Sequence, residues 1–242
     1  MQKNFNAYQL KLIAILAMII NHFGKAFNLA EISNFLYFLT ETIGKLTFPI
    51  MAYFLVEGFF YTKNFKKYLL RMALFWLLSI YPFYLLFHSE VSFSPIEFAN
   101  NIFFTLMLGL IMLKVTDTIY NEWLNLLVIM IFSSLTLYSD WNMIGILMIY
   151  GFQKNAGSKD RVKGPCIFIT FWLFIMTTFD FIYFPETSHW YIPLTTLGVL
   201  LVIPLLLRYT GERGKNTIFT KWSFYVIYPV HLVILIILKN YH

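Results

Sequence analysis

Apolar runs too long for a water-soluble core recur from end to end of this 242-residue chain, separated by short polar connections. A helix crosses the hydrocarbon of a bilayer with about 20 predominantly apolar residues. By that ruler the sequence offers about nine stretches, at roughly 7–27, 36–61, 68–87, 98–115, 122–138, 141–152, 166–184, 191–207 and 222–239. Composition agrees: 59% of the residues are apolar and 12% charged, against about half and a quarter in soluble domains. That balance excludes a soluble globule. Low charge, aperiodic glycine and a single cysteine, Cys166, exclude disorder, collagen and a disulfide framework. A β-barrel is disfavoured because the runs do not alternate apolar with polar residues. The expected fold is all-α, a polytopic transmembrane helical bundle over 1–242 forming one integral-membrane domain, with a candidate seam in the polar stretch 153–165.

Lys and Arg positions set direction, since basic residues stay on the cytoplasmic side. Lys63, Lys66, Lys67 and Arg71 lie between spans two and three, Lys114 ends span four, Lys154, Lys159, Arg161 and Lys163 follow span six, and Arg208, Arg213, Lys215 and Lys221 follow span eight. The alternate connections carry acids instead: Glu31 and Glu41, Glu90 and Glu97, Asp140, Glu186. Nine crossings with a cytoplasmic N-terminus put every basic connection inside. The sixth stretch is short, and parity fails if it does not cross. The net charge of +6 is therefore read as topology, with no nucleic-acid partner.

Ionisable groups within spans are costly and are functional candidates by default. His22 stands about 14 residues into span one, roughly 21 Å deep, and His231 about nine residues into span nine, roughly 14 Å deep. Tyr228 and Pro229 precede His231, and a proline kinks a helix. Glu57 lies near the cytoplasmic end of span two, with Arg71 on the next span as a candidate partner, and Asp180 lies near the outer end of span seven. Histidine titrates near neutrality and suits a general base that takes a proton from an amine or hydroxyl. Lys63, Lys66, Lys67 and Arg208 suit a phosphate-bearing donor, although positive-inside topology alone also explains them. Walker A, GxGxxG, GxSxG, HExxH and zinc-type Cys/His spacings are missing, so no metal is expected.

The chain resembles the TraX family of membrane proteins, known for N-terminal acetylation of conjugative pilin. The resemblance rests on Asn21-His22-Phe23-Gly24; on Gly44-Lys45-Leu46-Thr47-Phe48-Pro49 followed by Glu57-Gly58-Phe59; on Arg71 with Ser79 and Pro82-Phe83; on Asn101, Thr105 and Gly109; and on Tyr228-Pro229-Val230-His231. Asn21 stands where the family usually has Asp, and Lys45 where it usually has Arg. What the resemblance implies is acyl transfer, with acetyl-CoA or another acyl-CoA as donor. His22 and His231 would be catalytic, and Glu57, Arg71, Asn21, Lys45, Asn101, Thr105 and Tyr228 would bind donor or substrate. The acceptor would be a peptide or protein N-terminus, a glycan or a lipid headgroup. An anion or metabolite transporter is the alternative, with prolines within spans as hinges.

Overall fold

The computed structural model describes residues 3–158, 160–186 and 188–241. Among them the secondary structure is helical, in chain order α1 (Ala7–Ala26), α2 (Leu29–Ile32), α3 (Asn34–Gly44), α4 (Thr47–Tyr61), α5 (Phe65–Phe87), α6 (Ile102–Thr116), α7 (Glu122–Leu135), α8 (Asn142–Lys154), α9 (Lys163–Tyr183), α10 (Ile192–Thr195), α11 (Val202–Leu207) and α12 (Ile218–Asn240), with 3-10 segments Pro95–Ala99 and Thr196–Leu201. The sequence marks the starts: Asn6, Ser33, Asn64, Asn101 and Asn121 each accept a first-turn N–H through the side chain, satisfying donors that a helix end leaves open. Asn6 forms a full capping box with Gln9. Asn28, at φ 47°, takes the left-handed turn that ends α1.

Five described stretches are long and apolar enough to cross a membrane: Ala7–Ala26, Asn34–Tyr61, Phe65–Phe87, Lys163–Tyr183 and Ile218–Asn240. Ile102–Thr116, Glu122–Leu135 and Ile192–Leu207 are apolar but shorter. Two expected spans are not continuous helices. The second is broken after Gly44, where Lys45 and Leu46 interrupt the ladder before α4 restarts; Pro49 sits in the new first turn, where a missing N–H costs nothing. The eighth passes from α10 through a 3-10 segment into α11. The outer surface, unlike that of a soluble protein, is rich in large apolar side chains. Helix α9 buries only Pro165, Cys166, Ile169 and Thr170, while Phe168, Phe171, Trp172, Ile175, Phe179 and Ile182 face outward. Such a surface is costly in water and at home in hydrocarbon. The chain is a membrane protein.

The chain divides into two compact units: residues 1–51 with 157–220, and 52–156 with 221–242. In the first, Leu10, Ala14, Phe48, Ile50, Ile169, Val199 and Val202 are buried. The segment before α1 is strapped to the connection after α11: Asn4 N–H donates to the Arg208 carbonyl (2.9 Å), Thr210 N–H to that of Phe5 (2.8 Å) and Ala7 N–H to that of Glu212 (2.8 Å). In the second unit Leu55, Leu110, Met112, Leu113, Ile146, Met148, Ile149 and Phe152 are fully buried. Gly109 lets α6 approach α8, because a Cβ there would strike Ile149. Pro82 lies inside α5 and Pro229 inside α12.

Candidate functional site

The first unit gathers charge where α1 meets α3. Gly24 faces Thr40, and a Cβ on Gly44 would lie 2.6 Å from Asn21 Cβ, so two missing side chains bring the helices together. That approach lets Asn21 reach across: its Nδ2 donates to Glu41 Oε1 at 2.6 Å and to the Thr40 carbonyl at 3.3 Å. Lys25 Nζ lies 3.8 Å from Glu41 Oε1, and Lys45 Nζ 3.8 Å from Oε2. The Glu41 side chain is 7% exposed. A carboxylate this deep is tolerable only when paired and hydrogen-bonded, and one negative group here stands between two positive ones. His22, the next residue after Asn21, is 4% exposed. Gly198 closes the other side of Lys45, since a Cβ there would lie 3.1 Å from Lys45 Cβ and strike the Thr42 carbonyl.

Glu41 was missing from the sequence-derived site. Its place near the start of the second span groups it with the acids of an outer connection, whereas it is a buried member of α3. The signal was present in spacing: Glu41 and Lys45 are four apart, as are Asn21 and Lys25, so each pair shares a helix face. Lys45, expected to bind donor, is ion-paired to Glu41.

In the second unit the predicted residues take separate places. The Arg71 guanidinium lies over the rings of Tyr68 (5.5 Å) and Tyr225 (5.9 Å); its contacts are aromatic, where the sequence offered Glu57. Glu57 is half-buried in α4. Asn101 is a buried cap: its Oδ1 accepts Phe103 N–H at 3.1 Å. Thr105, fully buried in α6, hydrogen-bonds Ser139 and so ties α6 to the turn before α8. His231 is 5% exposed. Its Nδ1 donates to the Ile227 carbonyl at 3.1 Å, and Tyr228, also buried, meets its ring edge-on at 5.3 Å. Because a carbonyl only accepts, Nδ1 carries the proton and the neutral ring's lone pair is on Nε2. Lys63, Lys66 and Lys67 are exposed around the start of α5. Arg208, in the first unit, is exposed, as is Asp180 at the end of α9. Among the described residues no three His, Cys, Asp or Glu side chains gather as a metal site requires.

The sequence model of the family described as TraX protein matches residues 6–239, nearly the whole chain. This chain belongs to the TraX family. A relative named "probable fimbrial assembly protein FimC, serogroup H1", from Dichelobacter nodosus, is 28% identical over 237 residues, spanning 96% of this chain and 95% of that protein. No solved structure matches.

Proposed function

We propose that this TraX-family chain is a multi-pass membrane acyltransferase, moving an acetyl or other short acyl group from cytoplasmic acyl-CoA to an amine or hydroxyl. In this reading the chain crosses about nine times with its N-terminus inside, and the exposed Lys63, Lys66 and Lys67 of the second unit, or Arg208 of the first, offer charge to the donor's phosphates. The observation that carries the proposal is the buried Glu41 carboxylate held by Asn21, Lys25 and Lys45, with the buried His22 next to Asn21 in α1. Intramembrane charge is expensive and usually retained for chemistry. Acyl transfer needs a group to take a proton and positive charge where an oxyanion develops. His22 is the candidate base. Lys25 and Lys45 supply the charge, and Glu41, held by Asn21, sets their position. His231 presents an unprotonated Nε2 as a second base. Arg71, Glu57, Tyr228, Asn101 and Thr105, all in the second unit, are carried as separate candidates for binding donor or substrate. The relative's name, a fimbrial assembly protein, favours the N-terminus of a pilus subunit as acceptor.

The test incubates purified protein in nanodiscs with radiolabelled acetyl-CoA and a pilin-like peptide. His22→Ala should lower transfer by about 10²-fold or more, with a melting temperature close to the parent's. Transfer at the parental rate would remove His22 as the base. Solute flux into proteoliposomes without an acyl donor would favour a transporter instead.

A further inference from the structure

Arg71 is a cation set into a helix without a counter-ion. It follows Phe65, the first residue of α5, by about 9 Å along the axis. A lone arginine at that depth ordinarily runs its head out to the polar boundary. Here the Nε atom is buried and has no hydrogen-bond partner among the described residues, and no described carboxylate lies within ion-pair distance of the guanidinium. What holds it inside is aromatic. Tyr68 on the same helix and Tyr225 on α12 place their ring centroids 5.5 and 5.9 Å from the guanidinium carbon, and the Tyr225 hydroxyl is a hydrogen-bond partner of Arg71. Both rings are fixed in turn. Tyr68 is buried with its hydroxyl against Gly58, where a Cβ would lie 2.8 Å away. Tyr225 is stacked on Phe75 at 5.4 Å and on Phe103 at 6.1 Å. Ring faces attract a cation but do not cancel its charge. A guanidinium held this way, with a buried N–H unused, is short of an anion.

We propose that Arg71 binds a phosphoryl group while Tyr68 and Tyr225 hold its side chain in place. A guanidinium presents a planar fork of donors that matches two phosphate oxygens. Lys67 shares a face of α5 with Arg71, one turn nearer the helix start, and is exposed. Lys63 and Lys66 are exposed at the same end, so the approach to the site carries positive charge that draws anions in. The solvated lysines attract without choosing, and the guanidinium supplies the specific contact. All of these residues belong to the second unit. The ligand is a phosphate ester or diphosphate, a chemistry that a nucleotide and an anionic lipid headgroup share. The choice of a nucleotide rests on the acyltransferase reading, whose donor carries a diphosphate; the phosphoryl site itself requires neither acyl transfer nor a residue of the first unit.

The test titrates purified protein in nanodiscs of zwitterionic lipid with ADP and with adenosine. In a second arm, nanodiscs doped with phosphatidic acid are read by native mass spectrometry for retained lipid. Arg71→Gln should weaken phosphate binding by about tenfold or more, and Arg71→Lys, which keeps the charge without the fork, by about threefold. ADP should raise the parent's melting temperature and leave that of Arg71→Gln unmoved, and adenosine should bind at least about tenfold more weakly than ADP. Arg71-dependent ADP binding names the nucleotide as the source, and Arg71-dependent retention of phosphatidic acid alone names the headgroup; either supports the site. A parent that takes neither phosphate, or a folded Arg71→Gln that binds both within about twofold of the parent, overturns it. Should Arg71→Gln not fold, an Arg71→Lys with the parent's affinity does the same. Arg71-dependent ADP binding by a parent that transfers no acyl group refutes the acyltransferase reading alone; transfer and phosphate binding that both survive Arg71→Gln refute this one alone.

Discussion

Replacing Asn21 with Ala removes a short polar link between α1 and α3 in the first unit. The lost contact is a hydrogen bond to an ionised group, 2.6 Å long, and such bonds contribute about 1.5–3 kcal/mol. Asn21 is half-buried, which places the loss at about 1.5–2.5 kcal/mol, and for a chain of this size each kcal/mol shifts melting by about 2–4 °C. Asn21→Ala should therefore melt roughly 3–10 °C below the parent in detergent. Glu41→Ala should cost more, because it removes the acceptor of the Asn21 hydrogen bond and takes their shared carboxylate from the ammonium groups of Lys25 and Lys45. The double variant should lose clearly less than the sum, since neither substitution can break a bond the other has already removed. Additivity of the two losses to within about 0.5 kcal/mol would refute the claim that amide and carboxylate act as one unit.

Gly198→Ala should destabilise the protein by about 1–3 kcal/mol, measured as lost melting temperature, because its methyl group drives into the Thr42 carbonyl. Thr105→Val should cost about 1–3 kcal/mol, because the buried Ser139 hydroxyl loses its partner; Thr105→Ser should cost less, and comparing the two melting curves checks it. For orientation, with Cys166 replaced by Ala, a cysteine at Lys66 and one at Glu90 should react with an impermeant maleimide from opposite sides of sealed vesicles. Labelling of both from one side would overturn the topology.

Fold class was legible because hydrocarbon imposes a length on every crossing, and α1, α5, α9 and α12 begin and end within a few residues of the apolar runs. The break at Lys45 and Leu46 was not, since apolar content continues across it and only backbone geometry registers the interruption. The same holds for the 3-10 segment from Thr196 to Leu201. His22, Asn21 and Lys45 were legible as polar residues in apolar surroundings. Glu41 and Glu97 were not, because each lies near a span end, where an acid reads as solvated. Both are buried, and their partners lie elsewhere in the chain: Asn21, 20 residues before Glu41, and for Glu97 the neighbouring Asn100 and His88. Asn101 and Thr105 were read as donor- or substrate-binding residues; in the fold their polar atoms cap a helix and tie a turn.

The strap joining residues 4–7 to 208–212 has a consequence for biogenesis. The ribosome delivers α1 long before the strap's other half exists, so the helix bearing Asn21, His22 and Lys25 must wait in the lipid while about 180 further residues emerge. Escorting that interval is work for the insertion machinery, and a nascent chain stalled before residue 208 should be captured by it and handed to membrane proteases.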